Sequence, residues 1–240
     1  MDTRLKAIAE NFDAMKIDLD GTFPFHCTMC GKCCINREDI LLNAQDVYRM
    51  SKELEMTPQA FVERYGETYV GGDSRIPIVR LRPRGMIKRC PLLKDRKCMV
   101  HNAKPTVCAM FPIGRCLRLD PEAGVPEKFT AENIEYIFTD PGCGDETETH
   151  TVREWLRDFG ISDEDEFFLK WQKTILDLSE IFRAAEKKTD TSRMIFVWNL
   201  TFIALYLNYE TEKDFLPQFE ENARGILEAV RKMLCGGNEK

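Results

Sequence analysis

The segment from residue 24 to 40, PFHCTMCGKCCINREDI, places four cysteines within eight residues. Cys27, Cys30 and Cys33 follow a C-x-x-C-x-x-C spacing, which lets three sulfurs turn toward one centre. Gly31 permits a positive φ inside this loop. Thiolate sulfur is a soft ligand, so iron–sulfur clusters and zinc suit the segment better than magnesium or calcium. The spacing therefore predicts a metal site.

The spacing alone leaves the identity of the metal open. The same triple run occurs in bacterial [4Fe–4S] ferredoxins, where a remote cysteine followed by proline completes ligation, and Cys90-Pro91 is a dipeptide of that kind. Zinc also accepts four thiolates. We expect an iron–sulfur cluster of the [4Fe–4S] type, with zinc as the alternative. His26, beside Cys27, is an additional candidate ligand.

The number of cysteines suggests more than one metal centre. Nine of the ten cysteines lie between residues 27 and 143, and only Cys235, interpreted as an ordinary free thiol, lies outside. Adjacent side chains rarely point at the same spot, so Cys34 is expected to face a second centre or to be a reactive thiol. Two four-thiolate centres would use eight cysteines and leave one over, for which we select Cys116. The predicted metal ligands are Cys27, Cys30, Cys33, Cys34, Cys90, Cys98, Cys108 and Cys143.

Composition and charge narrow the functional class. The chain has 240 residues, 43% of them hydrophobic, which is enough to bury a sizeable core. A formal net charge of −6 argues against general binding to nucleic acid or to an anionic membrane, because both need a cationic surface. The first twenty residues contain scattered charges and no apolar signal region. We therefore expect a cytoplasmic protein, in which cysteine spacing indicates metal or redox chemistry.

The region from residue 149 to 240 is predicted to be a helical bundle. Thr151 and Glu154 form a capping box at the start of one helix, and apolar residues recur at helical spacing from 168 to 185. Residues 194–207 are apolar nearly all round, but this run is too short to span a membrane and is interpreted as a central buried helix. A last amphipathic helix begins at Phe215 and ends before Gly236 and Gly237.

The cysteine-rich region is more irregular. Asn43 and Thr57 are predicted to cap two helices, and a short helix is expected from Pro105 to Met110. Ile78 to Arg82 alternates as an edge strand does, followed by a turn at 83–85 and a return strand to Cys90. The predicted fold class is mainly α with a small irregular α+β cysteine-rich metal-binding domain and a C-terminal helical bundle. The corresponding divisions are a helical lead-in at 1–22, the metal-binding domain at 23–148 and the helical region at 149–240.

The segment from Arg75 to Lys97 is strongly basic, with nine lysines and arginines against one acidic residue, Asp95. We interpret these charges as balancing the negative thiolate centres and solvating a pair of strands, with a local anion or RNA contact as the alternative. The sequence contains no G-x-G-x-x-G after a strand, and PGCG at 141–144 is not followed by a helix start. No nucleotide site is predicted, and catalytic residues stay unknown.

A longer pattern resembles a known family. Phe25-x-Cys27-x-x-Cys30-Gly31-x-Cys33-Cys34, Cys90-Pro91-x-Leu93, Cys98-x-Val100, Pro105-x-x-Cys108 and Phe111-Pro112 are similar to the CxxCxxCC cysteine-cluster family, a zinc- or iron-chelating domain. The similarity extends over roughly residues 23–115, and PGCGDETETHTVREWL resembles a later turn and helix of the family. Lys104 and His101 depart from the usual arginine and tyrosine, but neither change removes a thiol.

The resemblance implies metal binding more strongly than it implies a reaction. The domain is also found in flagellin lysine N-methylases, so three functions stay open. The first is a redox or cluster-carrying protein with a redox partner. The second is an enzyme similar to a protein-lysine N-methylase, in which the cluster or a cleft binds a methyl donor. The third is a zinc-stabilised interaction module, whose helical bundle contacts a protein partner.

Overall fold

The computed structural model shows helices combined with several small sheets. The described residues are 10–38, 40–119, 122 and 124–235. Within them the chain forms eight α-helices and ten short strands. This mixture is compatible with the predicted mainly α fold with a smaller α+β part. No helix in these ranges combines the length and the apolar character needed to cross a membrane.

The elements alternate irregularly along the chain. The strands are β1 (Lys16–Ile17), β2 (Thr22–His26), β3 (Leu41–Leu42), β4 (Gly66–Val70), β5 (Pro77–Leu81), β6 (Leu93–Lys94), β7 (Lys97–Cys98), β8 (Ile113–Leu117), β9 (Ile134–Phe138) and β10 (Asp145–Thr151). The helices are α1 (Phe12–Met15), α2 (Ala44–Glu53), α3 (Pro58–Tyr65), α4 (Thr106–Met110), α5 (Val152–Asp158), α6 (Glu166–Glu186), α7 (Thr191–Phe202) and α8 (Phe215–Leu234). Short 3₁₀ turns occur at Lys32–Cys34, His101–Ala103 and Ala131–Asn133.

The chain divides into two compact units, each built from two separate segments. The first unit consists of Met1–Cys33 and Val107–Leu169, and the second of Cys34–Thr106 and Lys170–Lys240. The adjacent residues Cys33 and Cys34 therefore belong to different units. The predicted divisions at 1–22, 23–148 and 149–240 stay a prediction. Of the helical lead-in, residues 1–9 lie outside the described residues, and the rest forms one helical turn, α1, followed by strand β1.

The first unit contains a small sheet and a two-stranded ribbon. The sheet is antiparallel with the order β1–β9–β8, and β2 pairs with β10 to form the ribbon. Phe23 and Phe25 point inward from alternate positions of β2, and both are almost fully buried. Trp155 of α5 packs edge-on against their rings at centroid distances of 5.8 and 5.7 Å. The indole N–H of Trp155 donates to the carbonyl of Met110 at 3.0 Å, so the inner face of the ribbon is fixed by packing and by a hydrogen bond.

The second unit packs helices against a three-stranded sheet. The sheet has the order β3–β5–β4, with antiparallel pairing throughout. A strand forms where one was predicted, at Ile78–Arg82, but the prediction that it lies at the edge of the sheet is wrong, because β5 is the central strand. No return strand leads to Cys90; an isolated bridge between Arg84 and Arg89 closes a tight turn instead. The partner strand β4 comes from upstream in the chain, and proline is tolerated at Pro77 because it is the first residue of β5.

The predicted helix starts are confirmed by capping contacts. The side chains of Asn43, Thr57 and Thr151 accept hydrogen bonds from the backbone amide three residues on, at the starts of α2, α3 and α5. Capping boxes form at Asn43 and Thr151. The short helix predicted from residue 105 to 110 is also present, as α4.

The helices after residue 166 follow the predicted periodicity with one correction. Helix α8 was predicted to turn six side chains inward, and it buries five of them, Phe215, Phe219, Ala223, Ile226 and Val230, whereas Leu234 is only partly buried. The predicted stop at residues 236 and 237 lies outside the described residues. The helix predicted at 194–207 forms as α7 and a π-helical turn at Ile203–Leu207, but it is not buried all round. The side chains of Ile195, Phe196 and Ile203 are 49%, 60% and 50% exposed. The prediction from the apolar sequence therefore overestimated the burial of this helix, because apolar residues also occur on exposed faces.

Asp46 ties helix α2 to the segment that ends at Thr106. Its carboxylate, 1% exposed, accepts hydrogen bonds from the Thr106 amide at 2.8 Å, the Thr106 hydroxyl at 2.7 Å and the Asn43 amide at 3.2 Å. Burial raises the pKa of Asp46, while the hydrogen bonds from Thr106 and Asn43 act in the opposite direction. The carboxylate therefore fixes the end of the segment that carries Cys90 and Cys98.

We expect Asp46→Ala to lower the free energy of unfolding by about 3 kcal/mol, because two backbone amides lose their acceptor in a buried position. Urea denaturation followed by circular dichroism measures this loss. Glu53→Ala, at an exposed position of the same helix, is the control and should change stability by less than about 0.5 kcal/mol. Equal stability of the two variants would contradict the structural role of Asp46.

Candidate metal centre

The register of the β2–β10 ribbon brings Cys143 to the triple-cysteine loop. His26 pairs with Asp145 at one end of the ribbon. At that end β2 continues into Cys27, and β10 is entered from Cys143 and Gly144. The antiparallel pairing therefore places a cysteine remote in sequence next to the first cysteine of the loop.

Left-handed backbone conformations make the loop compact. Met29 has a φ of 53°, which is uncommon for a residue with a side chain, and Gly31 has a φ of 75°. The loop then enters the 3₁₀ turn Lys32–Cys34. Cys27 and Met29 are exposed, whereas Cys30, Cys33 and Cys143 are partly buried. The loop thus has one solvent-facing edge, at Cys27.

Cys30 is in an environment that favours a thiolate. Its sulfur accepts hydrogen bonds from the backbone amides of Lys32 and Gly144, from the hydroxyl of Thr28 and from the thiol of Cys143. The amide of Lys32 contributes most to lowering the pKa of Cys30, and burial opposes the effect. Backbone N–H groups directed at sulfur are the contacts that also stabilise metal-bound thiolates.

The pKa of Cys143 is shifted in the opposite direction, upward. Burial and the negative charges of Cys30, Cys33 and Cys27 raise the pKa of Cys143 to about 11. The four thiols thus form one electrostatic group in which full ionisation is opposed by like-charge repulsion. A bound cation would remove this repulsion and favour all four thiolates.

The four sulfurs do not yet form a coordination shell. Among the described residues, no group of three or more His, Cys, Asp or Glu side chains already converges on a metal position. Charges interact over distances longer than a metal–sulfur bond, which is about 2.3 Å. The four thiols can therefore affect each other's pKa values without surrounding a common metal position. The soft donor set fits zinc or iron. The assignment of these four residues as ligands stays a prediction.

The remaining predicted ligands are distributed over both units. Cys34, Cys90 and Cys98 lie on connected backbone of the second unit: the Cys90 amide donates to the Cys34 carbonyl at 2.8 Å, and Leu93, whose amide donates to Cys90, pairs with Cys98. Cys108 belongs to the first unit, in helix α4. None of the ten cysteines, all within the described residues, forms a disulfide. The second centre also stays a prediction.

Cys116, the predicted surplus cysteine, lies on strand β8. Its thiol donates to the carbonyl of Glu135 on the neighbouring strand β9, with a sulfur–oxygen distance of 3.7 Å. Burial raises the pKa of Cys116, and the carboxylate of Glu135 adds to this effect. Cys116 is a partly buried thiol on a strand and is not a predicted ligand. It is therefore a suitable control for substitutions of the loop cysteines.

His26 interacts with oxygen atoms of β10. Its Nδ1 lies 3.2 Å from both Asp145 Oδ1 and Thr147 Oγ1, and its Nε2 lies 3.8 Å from Glu148 Oε1. The hydroxyl and amide of Thr147 lower the pKa of Asp145, with a smaller effect from His26. Sequence reasoning missed these acidic neighbours, because only the pairing of β2 with β10 brings them to His26.

The free cysteines of the loop and Cys143 fit the type of site found in cysteine-cluster domains. Residues 26–137 match the model of the CxxCxxCC family, described as "Putative zinc- or iron-chelating domain", so this region of the chain is similar to that family. The match includes every predicted ligand except Cys143, which follows it. No curated protein and no solved structure is matched by the chain.

The close approach at Gly144 predicts a specific requirement for glycine. A Cβ atom there would overlap the carbonyl oxygen of His26 and lie 2.8 Å from Cε2 of Phe25. We expect Gly144→Ala to lower metal affinity by about 10- to 100-fold, because the Gly144 amide and the adjacent Cys143 are displaced. Competition with a chromophoric chelator measures the affinity.

Gly142→Ala is the matched control. Gly142 also has a positive φ, 57°, but a Cβ there has no neighbour within 4 Å. Its metal affinity should stay close to that of the unsubstituted chain. If both variants lost metal affinity equally, backbone strain at a positive φ would explain the loss. The close approach of Gly144 to His26 would then have no specific role.

Replacing the fourth thiol should remove metal from the loop. We expect Cys143→Ser to lower the metal bound per chain, because a serine hydroxyl is a poor substitute for a soft thiolate. Cys116→Ser, at the partly buried thiol of strand β8, should retain the full amount. Elemental analysis of both purified variants measures this, and retained metal in Cys143→Ser would exclude Cys143 as a required ligand.

Proposed function

We propose that this chain is an iron–sulfur protein with a redox or cluster-carrying role. In this proposal Cys27, Cys30, Cys33 and Cys143 hold a [4Fe–4S] cluster. The observation that carries the proposal is the pairing of His26 with Asp145, which groups Cys143 with the three cysteines of the loop. Burial and the neighbouring sulfurs raise the pKa of Cys143 to about 11, which is consistent with this grouping. An iron–sulfur cluster supplies the positive charge and the four bonds that such a group requires.

The environment of the loop supports an electron-transfer or cluster-transfer role. Amide hydrogen bonds to the sulfur of Cys30, from Lys32 and Gly144, are the type of contact that adjusts a cluster's reduction potential. The exposed edge at Cys27 leaves a route by which a partner can approach. Thiolate centres persist where thiols stay reduced, so we place the protein in the cytoplasm with a redox partner protein.

A structural zinc site is the second candidate. The loop and Cys143 lie where the two strands of the ribbon separate, at His26 and Asp145. Four thiolates around zinc would close this open end, and the binding energy would then contribute directly to folding. In this case the chain would be an interaction module and not a carrier of electrons.

Metal and acid-labile sulfide analysis separates the two candidates. For protein purified without oxygen, we expect about four iron and about four sulfide per centre, with visible absorption that decreases on reduction. Iron and sulfide assays combined with an absorption spectrum measure this directly. Cys116→Ser, prepared in the same way, is the control and should give the same content.

Two other outcomes would contradict the iron–sulfur proposal. Stoichiometric zinc without sulfide, in a colourless protein, would establish the structural alternative. Absence of both metals after reconstitution with each would reject the metal centre itself.

A further inference from the structure

Two exposed turns flank the predicted ligand Cys90, and the second leads into Cys98. In the first turn, Arg84 and Arg89 exchange backbone hydrogen bonds of 2.8 and 2.9 Å. In the second, Lys94 pairs with Lys97 across two residues with positive φ, which project the side chain of Arg96 from the tip. We call residues 84–89 and 94–97, together with Met99, the cationic turns.

The cationic turns expose apolar side chains among their charges. Met86 is 100% exposed and Ile87 is 56% exposed, both at the tip of the first turn. Met99, directly after the second hairpin, is 38% exposed. Exposed apolar groups surrounded by polar residues are a feature of interaction sites. Methionine in particular adapts its shape to different partner surfaces.

Most cations of this surface have no carboxylate partner among the described residues. Between residues 75 and 97, the cations with a carboxylate partner are Arg75 with Glu186, Arg80 with Glu67 at 3.1 Å, and Lys88 with Glu38 at 2.8 Å. The others have no carboxylate within 4.0 Å among the described residues, and all are exposed. They are Arg82, Arg84, Arg89, Lys94, Arg96 and Lys97. These side chains are available to the carboxylates of a partner molecule.

We propose that the cationic turns are the docking surface for a protein partner whose carboxylates surround an apolar contact. Charge complementarity identifies the acidic rim of the partner, and Met86 and Ile87 identify its apolar centre. Single-stranded nucleic acid is less suitable, because residues 82–99 contain no aromatic side chain on which a base could stack. A net charge of −6 for the whole chain also opposes binding to extended polyanions.

The surface is directly connected to cysteines that are predicted to bind metal. The Asn36 amide donates to the Ile87 carbonyl at 3.0 Å, and the Cys90 amide donates to the Cys34 carbonyl at 2.8 Å. A partner on the cationic turns would therefore sit beside the backbone of Cys34 and Cys90. The proposal names the class of partner for the proposed carrier, but it does not depend on which metal is bound.

A synthetic peptide provides a defined probe for this surface. We would measure binding of a fluorescein-labelled peptide of alternating glutamate and leucine to the full metal-loaded chain by fluorescence anisotropy. Arg84→Glu/Arg89→Glu should weaken binding by about tenfold or more, because attraction becomes repulsion. Met86→Ser/Ile87→Ser should weaken it several-fold at unchanged charge. A peptide of alternating lysine and leucine should not bind.

Matched controls change the same residue types elsewhere on the second unit. Lys187→Glu/Lys188→Glu reverses two exposed cations, and Ile195→Ser/Phe196→Ser removes two exposed apolar side chains. Both should bind the acidic peptide as the unsubstituted chain does. Metal content, measured on every variant, should stay at the level of the unsubstituted chain, so that failure of the docking proposal is distinguishable from failure of the proposed metal function.

Several outcomes would overturn the docking proposal. These are absence of peptide binding, or equal binding by all four variants. Vesicles of phosphatidylcholine with phosphatidylserine, and a single-stranded RNA, are tested in parallel. If either binds through Arg84 and Arg89 while the acidic peptide does not, the surface recognises lipid or nucleic acid and the protein-partner proposal is wrong.

Discussion

The pairing of His26 with Asp145 is the contact on which the cysteine site depends. The triple-cysteine loop can form three inward-turning sulfurs by itself, but a fourth thiol arrives only because β10 begins opposite the end of β2. The inner face of this ribbon is held by Phe23, Phe25 and Trp155, so the strands cannot slide without exposing aromatic rings. Hydrophobic packing in the first unit therefore determines the position of Cys143 beside the triple-cysteine loop.

Within the loop, the surroundings of two neighbouring thiols shift their pKa values in opposite directions. Backbone amides stabilise the ionised form of Cys30, and burial with nearby negative charge stabilises the protonated form of Cys143. The sulfur of Cys30 and its amide donors are already in place, so the loop offers a cation one partly prepared ligand.

The sequence was informative where structure is local. Asn43, Thr57 and Thr151 cap their helices through contacts three residues away, and the triple-cysteine spacing is contained within seven residues. It was uninformative where structure depends on distant segments. The approach of Asp145 to His26 and the central position of β5 each require a strand partner that no local pattern names. The exposure of Phe196 could not be predicted either, because hydrophobicity does not specify which neighbour, if any, covers a helix face.

If the four thiols hold a metal as proposed, their unequal exposure would set an order of events for metal exchange. Cys27 is the exposed member, and the other three are partly buried. A chelator, an oxidant or an accepting protein would reach Cys27 before the other three, so ligand release would start at Cys27 and end deeper in the loop. The bond to Cys27 would then be the most labile of the four. A centre held in this way would bind stably until Cys27 is displaced and would then be transferred quickly.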